Sequence, residues 1–188
     1  MAESSEIKHE NNRIRFKRLI GLLLYIILIA ALTFTVRTFL LQRVIVDGES
    51  MNNTLDDGDN LMVCPLPRYT GDIDRFDIVV FKYAYDTDTF LVKRVIGLPG
   101  ETVNLDRYGS IYINGQVLDE HYGIEKIGDP GIALNPVTLE DDEYFVLGDN
   151  RNNSMDSRDA KVAKVGIKRI KGTVFLRIAP FSKFGTVR

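Results

Sequence analysis

Two short segments of the chain carry side chains that could do chemistry together. The first, Asp47-Gly48-Glu49-Ser50-Met51, predicts a turn that exposes a serine, and the second, Phe90-Leu91-Val92-Lys93-Arg94-Val95-Ile96, predicts an apolar strand that carries a lysine. A serine hydroxyl becomes a good nucleophile only when a base removes its proton. A lysine can be that base only when its pKa falls well below the usual value of about 10.4.

The position of Lys93 within its strand favours such a low pKa. Alternate side chains of a strand share a face, so Lys93 should point with Leu91 and Val95 while Arg94 points to the opposite face. Burial among aliphatic side chains disfavours the charged amine. The two segments therefore predict a serine–lysine hydrolase with Ser50 as nucleophile and Lys93 as general base. Each segment alone also has an ordinary structural explanation, because a lone strand lysine often reaches water from a sheet edge.

Composition argues against several other kinds of protein. The 188 residues carry a formal net charge of −2, whereas nucleic-acid binding usually shows as a basic domain, so we expect no nucleic-acid partner. The chain has one cysteine, Cys64, and two histidines, His9 and His121. So few Cys and His residues argue against a zinc site. We therefore expect neither a metal nor another cofactor.

An apolar run near the N-terminus predicts a membrane span. Residues 19–36 carry no charge, and as a helix they would extend about 27 Å, close to the thickness of a bilayer's hydrocarbon core. The basic side chains that end the preceding tail, residues 1–18, predict a cytoplasmic N-terminus. Residues 37–188 would then be the extracytoplasmic domain of a single-pass protein of the cell membrane. A cleavable signal peptide is the alternative, although its apolar region is usually shorter and ends in a small-x-small site that is missing here.

The rest of the chain reads as short strands separated by turns, which predicts an all-β domain with an antiparallel sheet. Asn114-Gly115, between two alternating runs, is the strongest hairpin signal, because both residues suit a type I′ turn. Residues 119–142 are rich in glycine, proline and acids and predict a surface excursion. The predicted strands are Val44–Val46, Asn60–Cys64, Asp77–Phe81, Leu91–Ile96, Thr102–Leu105, Ser110–Ile113 and Glu143–Leu147.

In order and spacing, four segments of the chain resemble the bacterial type I signal peptidases. The serine segment of that family is similar to Gly48–Leu55, and its lysine segment is similar to Val92–Glu101. A core strand of the family resembles Asp77–Phe81, and a polar loop resembles Gly148–Arg158. The resemblance covers about residues 20–158, including the anchor. It implies the same nucleophile and base as the residue types do.

The resemblance also implies supporting roles in the polar loop. Ser154 would hydrogen-bond near Lys93 and help to orient its amine. Asp156 and Arg158 would form an ion pair that holds the loop against the site.

The chain departs from the family pattern around the serine turn and after the polar loop. The Ser50 N–H would meet the oxyanion, but Gly48 stands where some relatives supply a serine hydroxyl, so a second donor would have to come from its backbone or elsewhere. Asn53 replaces the usual proline, and Phe76 replaces a frequent glycine. Basic residues that follow the loop predict a solvated face: Lys161, Lys164, Lys168, Arg169 and Lys171.

Strand geometry predicts how a peptide substrate would bind. An extended peptide between Val44–Asp47 and Leu91–Lys93 would form main-chain hydrogen bonds, and its first and third side chains before the cut would face one wall. Shallow apolar pockets in that wall would accept only small uncharged side chains, the pattern that ends secretory signal peptides. The resemblance implies the same preprotein substrates, near the secretion translocon at the lipid bilayer. The predicted substrate-binding residues are Val44, Val46, Asp47, Met51, Leu55, Leu91 and Val92.

Three rival functions fit parts of the sequence. A serine–histidine hydrolase would need His121, which lies in an acidic, surface-like stretch. A membrane-anchored β-module that acts as a secretion or envelope adaptor explains the anchor and the strands but gives no purpose to Lys93. A self-cleaving repressor-type protease would share the chemistry, but it would need no membrane span and would carry a DNA-binding segment.

Overall fold

The computed structural model describes residues 2–39, 42–86 and 88–187, which divide into an N-terminal helix and a β-domain. Helix α1 runs from Ala2 to Phe39, so it includes both the predicted tail and the predicted span. Its segment Arg15–Thr35 is long and apolar enough to cross a membrane. A short second helix, α2 (Pro67–Thr70), lies in the β-domain.

The described part of the β-domain contains twelve strands, which form two sheets. The larger sheet has the order β1-β2-β11-β3-β4-β9-β10 with β12 beside β11, and the smaller has the order β7-β6-β5-β8. All of these pairs are antiparallel, as predicted. In chain order the strands are β1 (Gln42–Ile45), β2 (Asn60–Cys64), β3 (Ile78–Lys82), β4 (Phe90–Gly97), β5 (Thr102–Leu105), β6 (Ile111–Ile113), β7 (Gln116–Val117), β8 (Val137–Thr138), β9 (Glu143–Leu147), β10 (Val165–Gly166), β11 (Ile170–Ala179) and β12 (Gly185–Thr186).

The smaller sheet contains the predicted hairpin. Asn114 and Gly115 join β6 to β7 with φ of 51° and 79°, and two positive φ values in succession are the signature of a type I′ turn. The 3₁₀ helices of the domain are Gly131–Leu134, Ile167–Arg169 and Phe181–Lys183.

Two apolar clusters lie beneath the segments that the sequence singled out. Met51 and Leu55, from the turn that follows Ser50, are buried against β2 and β3. Leu91 and Val95 pack on the other side of β4, in a cluster that includes Phe81. Each fully buried side chain of this size stabilises the fold by about 1.5–3 kcal/mol, so both segments are firmly attached to the sheet.

Strand β11 was not predicted, although it lies at the centre of the larger sheet between β2 and β3. Among the basic residues expected to form a solvated face, Lys161 and Lys168 are exposed. Arg169 instead lies over the ring of Phe81 and donates to three main-chain carbonyls, and Lys171 lies over the ring of Phe90. The segment after the polar loop is therefore part of the core architecture.

Gly172 in β11 occupies a position where no side chain fits. A Cβ would lie 2.7 Å from the carbonyl carbon of Cys64 and 2.9 Å from the Cα of Pro65, both backbone atoms of the neighbouring strand and its end. Because paired backbone cannot move aside cheaply, Gly172→Ala should lower the free energy of unfolding by about 1–3 kcal/mol in urea titrations of the full chain in detergent. Gly166→Ala is the control, since a Cβ there meets nothing within 4 Å. Equal urea midpoints for the two variants would contradict this account.

Candidate active site

Ser50 and Lys93 meet beside a surface cleft of the β-domain. The Nζ of Lys93 lies 2.6 Å from the Oγ of Ser50, within hydrogen-bond distance. The same Nζ donates to the carbonyl of Val92 at 2.9 Å, which holds the amine in place. Lys93 is 2% exposed, whereas Ser50 is only partly buried and remains open to the cleft. The amine is therefore positioned to exchange a proton with the hydroxyl.

Burial lowers the pKa of Lys93 to about 8, because removal from water disfavours the charged amine. The carboxylates of Asp156 and Asp149 act in the opposite direction and limit the shift. The strand neighbours on the same face, Leu91 and Val95, pack into an apolar cluster, as the alternation predicted. With a pKa of about 8, roughly a tenth of the Lys93 amine is uncharged at pH 7.

The turn before Ser50 is held by the loop that precedes β2. Gly48 has a φ of +100°, a conformation that glycine adopts without strain. Its N–H donates to the Oδ1 of Asp57 at 2.8 Å, while Val46 exchanges main-chain hydrogen bonds with Gly58 and Asp59. The Gly48 N–H is thus already engaged, and the second oxyanion donor considered from the sequence would have to come from another group.

The chain after Ser50 forms a hydrogen-bonded turn with a buried face. The N–H of Leu55 donates to the carbonyl of Met51 at 2.8 Å, and both side chains are buried in the core. Met51 also lines the cleft, whereas Leu55, predicted to bind substrate, is fully buried in the core below it.

A fully buried ion pair joins the segments that carry the candidate catalytic residues. The guanidinium of Arg94 contacts Asp149 through two hydrogen bonds, of 2.9 and 2.7 Å, and both side chains are 0% exposed. The hydroxyl of Thr54 donates to the same carboxylate at 2.5 Å. Arg94 follows Lys93 directly, Thr54 follows Ser50 by four residues, and Asp149 opens the polar loop. Removing one partner of such a pair typically costs about 3–5 kcal/mol, so this contact fixes the three segments together.

The polar loop contains the ion pair that the resemblance implied. Arg158 donates to both carboxylate oxygens of Asp156 at 2.8 Å and to the carbonyl of Arg151 at 2.5 Å. Asp156 in turn accepts the N–H of Gly148 at 3.1 Å. The ion pair of Asp156 with Arg158 therefore holds the polar loop against Gly148, which directly follows the end of β9.

Ser154 lies close to Ser50 but does not bond with Lys93. A Cβ on Gly148 would lie 2.5 Å from the Ser50 carbonyl oxygen and 2.6 Å from the Cβ of Ser154, so all three residues pack tightly. The Ser154 hydroxyl is buried and has no hydrogen-bond partner in the described part of the chain. The hydrogen bond that the resemblance implied for Ser154 is therefore not formed in the described residues, where the amine bonds with the Val92 carbonyl and Ser50.

Part of the predicted surface excursion packs against the polar loop. Glu120 binds Arg151 through two hydrogen bonds, of 2.8 and 2.9 Å, and the ring of Tyr122 lies 3.7 Å from the guanidinium of Arg94. The ring of Tyr122 also contacts that of Phe76, whose φ of 75° explains why glycine suits this position. His121, by contrast, is exposed and lies near Asp119.

The cleft beside Ser50 has a volume of about 330 Å³, and seven of its twelve lining residues are apolar. Six of the seven predicted substrate-binding residues line it, all but Leu55. Ile45, Asp88, Thr89 and Phe90 also line the cleft and were not predicted. In the described residues, no group of three or more acidic, histidine or cysteine side chains could hold a metal ion.

One wall of the cleft is an open strand edge. Residues Phe90–Lys93 of β4 pair with β3, but β9 pairs with β4 only from Arg94 onwards. On its β9 side, the first half of β4 has no strand partner in the described chain. Such an edge can accept an extended peptide as an additional strand.

Several residues that organise this site were missed from the sequence. Arg94 could have been recognised, because a permanent cation on the buried face of a strand requires a buried carboxylate. Asp149 lies in the polar loop, but nothing in its neighbours distinguishes it as that carboxylate. The contacts of Asp57 and Tyr122 depend on loop conformations that leave no periodic signal.

The sequence of this chain is similar to those of several known proteins. A family model described as signal peptidase, peptidase S26, matches residues 18–179. A signal peptidase I of Bacillus licheniformis is 37% identical over 169 residues, which are 84% of this chain and 87% of the relative. Signal peptidase I P of Bacillus subtilis subsp. natto is 41% identical over 141 residues, 71% of this chain and 75% of the relative. A crystal structure of a signal peptidase I from Enterococcus faecalis V583 is 34% identical, with a TM-score of 0.46, and covers 54% of this chain and 96% of its own.

The buried amine of Lys93 should lower the stability of the fold at neutral pH. Lys93→Met keeps a side chain of similar length and removes the charge, so it should raise the free energy of unfolding at pH 7 by up to about 3 kcal/mol. The pKa of Lys93 is about 8 in the folded chain and near 10.5 when unfolded, so the unfolded chain binds more protons between these values. The wild-type chain should therefore gain stability as the pH rises through that window. The difference in the free energy of unfolding between Lys93→Met and the wild type should then shrink.

Urea titrations of both chains in detergent at pH 7 and pH 10 measure this effect. A variant less stable than the wild type at pH 7, or a stability difference that widens above pH 8, would contradict it.

Proposed function

The chain belongs to the signal peptidase I family, peptidase S26, and from that premise we propose that it is a membrane-anchored serine endopeptidase that removes N-terminal signal peptides from preproteins. We propose Ser50 as the nucleophile and Lys93 as the general base. The observation that carries this proposal is the distance of 2.6 Å between the serine hydroxyl and an amine whose pKa is lowered by burial.

The reaction we propose is acyl transfer in two steps. Neutral Lys93 takes the proton of the Ser50 hydroxyl as the oxygen attacks the carbonyl carbon of the scissile peptide bond. The resulting ammonium gives that proton to the leaving nitrogen, the C–N bond breaks, and the signal peptide remains as an ester on Ser50. The neutral amine then takes a proton from water, which attacks the ester, and returns it to the serine oxygen as the signal peptide leaves.

The oxyanion of the tetrahedral intermediate would be met by the Ser50 N–H. This N–H lies at the start of the hydrogen-bonded turn that follows the serine, and it has no acceptor in residues 42–86 and 88–187. A free donor in this position can bind the charge that develops on the carbonyl oxygen.

The substrate would lie in the cleft as an added strand. Its main chain would pair with the open edge Phe90–Lys93, and the opposite wall would be the segment that begins at Val44. Most of the lining residues are apolar and the cleft is small, which favours small uncharged side chains at the first and third positions before the cut.

Helix α1 would anchor the enzyme with its N-terminus in the cytoplasm. Four basic residues, Arg13, Arg15, Lys17 and Arg18, precede the apolar span without an intervening acid. The β-domain would then work on the outer side of the membrane, near the translocon where preproteins emerge. The partners we propose are therefore preproteins and the lipid bilayer.

The cleavage rate should rise with pH through a midpoint near 8. Only the neutral amine can accept the serine proton, and the pKa of Lys93 is about 8. At two pH units below the midpoint, kcat/KM should be about one hundredth of its plateau value. A fluorogenic signal-peptide substrate in detergent measures this profile. A flat profile between pH 6 and 9, or a midpoint near the histidine value that His121→Ala abolishes, would contradict the assignment of Lys93.

Cleavage of one preprotein by purified full-length protein in detergent tests the function directly. Ser50→Ala and Lys93→Ala should each lose more than about 10³-fold in rate, because each removes a group that takes part in bond formation or proton transfer. His121→Ala is the matched control and should retain full activity, since that side chain is exposed. Sequencing of the new N-terminus should place the cut after a small-x-small triplet. Unchanged processing by Ser50→Ala would favour the adaptor function instead.

A further inference from the structure

The orientation of the Ser50 N–H determines how well the serine turn can stabilise an oxyanion. Gly48 has no hydroxyl, and its own N–H is engaged by the carboxylate of Asp57 at 2.8 Å. The N–H of Ser50 has no acceptor in the described residues, so it is a main-chain donor that the nucleophile itself offers to an oxyanion. Stabilisation by an oxyanion donor depends steeply on its direction, since hydrogen bonds weaken rapidly when they bend.

The carbonyl of Glu49 controls that direction. It belongs to the same peptide unit as the Ser50 N–H, which is planar and trans, so the C=O and the N–H point in opposite directions. Holding the Glu49 oxygen therefore aims the Ser50 N–H. Two donors hold this oxygen, the N–H of Asn52 at 3.1 Å and the side-chain amide of Asn150 at 3.1 Å.

Asn150 binds the serine turn at two points. Its Nδ2 donates to the Glu49 carbonyl before the nucleophile, and its main-chain N–H donates to the Ser50 carbonyl after it, at 3.1 Å. The same residue thus holds the peptide units on both sides of Ser50. Asn150 is itself fixed, because it follows Asp149 in the fully buried ion pair with Arg94.

We propose that Asn150 is a positioning residue whose side-chain amide, through the Glu49 carbonyl, aligns the Ser50 N–H with the oxyanion. This role rests on the proposed acyl-transfer function. Asn150 touches neither the substrate nor the reacting atoms, and it acts through the Glu49–Ser50 peptide. A carboxylate could not replace it, because the Glu49 oxygen only accepts hydrogen bonds.

Steady-state kinetics of Asn150 variants should show a loss confined to the chemical step. Asn150→Ala should lower kcat by about tenfold or more, less than the 10²–10³-fold loss typical of a deleted donor, because the N–H remains but is no longer aligned. KM should stay within about twofold, since the open edge and the cleft lining are unchanged. Asn150→Asp is isosteric and keeps the main-chain bond to Ser50, and it should lose at least as much activity.

Two inhibitors separate alignment of the oxyanion donor from general loosening of the site. A substrate-like peptide aldehyde forms a tetrahedral adduct with Ser50, whereas the matching peptide alcohol binds without an oxyanion. The affinity of Asn150→Ala for the aldehyde should fall by the same factor as kcat, and its affinity for the alcohol should not change. The pH midpoint of the residual activity should also stay near 8, because the surroundings of Lys93 are intact.

Asn152→Ala is the matched control. This asparagine lies in the same loop and forms two side-chain hydrogen bonds, with Gly128 and the carbonyl of Lys126, so its loss loosens the loop away from the serine turn. Asn152→Ala should lower the affinities for the aldehyde and for the alcohol by the same factor, or leave both unchanged. Full activity of both Asn150 variants, or a parallel loss of aldehyde and alcohol affinity, would overturn the proposal. A wild-type chain that neither cleaves the preprotein nor binds the aldehyde would overturn the proposed function, and this role with it.

Discussion

A permanent cation with no access to water sets the geometry of this molecule. Arg94 is 0% exposed, and without a carboxylate its burial would cost several kcal/mol. Asp149 meets that requirement, and Thr54 shares the same carboxylate. Since these residues belong to the lysine strand, the polar loop and the serine turn, their contacts hold the three segments in the arrangement that brings Ser50 to Lys93. The ring of Tyr122 covers the remaining face of the guanidinium, so the excursion that follows β7 completes the enclosure.

The same arrangement explains how Lys93 keeps a low pKa beside two carboxylates. Asp156 and Asp149 both raise the pKa of the amine, yet each is bound to an arginine through two hydrogen bonds. Burial is nevertheless the larger effect, and it lowers the pKa of Lys93 to about 8. The ion pairs hold the polar loop and the lysine strand in position, while removal from water accounts for the low pKa of the amine.

Local patterns in the sequence predicted much of this fold, and their failures have a common cause. Strands such as Asn60–Cys64 and the Asn114-Gly115 hairpin follow from alternation and turn chemistry, and the burial of Lys93 follows from its strand neighbours. Strand β11 was missed because Lys171 and Gly172 interrupt its apolar pattern, and its stability comes from pairing with the distant strands β2 and β3. The unpaired hydroxyl of Ser154 and the bond of Gly48 with Asp57 could not be inferred, because they depend on distances of a few tenths of an ångström between loops that have no periodic structure.

The pairing of β4 also determines where a bound peptide would be cut. Strand β9 pairs with β4 from Arg94 onwards, so Lys93 is the last residue of the open edge. A peptide added to this edge must leave it at the end of β9, where Leu147 pairs with Arg94, beside the Ser50 hydroxyl. The buried pair of Arg94 with Asp149, two residues after the last residue of β9, fixes this end point. Under the proposed function, the contact that assembles the catalytic residues therefore also sets the register of the scissile bond, because a shift of one residue along the edge would place the wrong face of the peptide against the apolar wall.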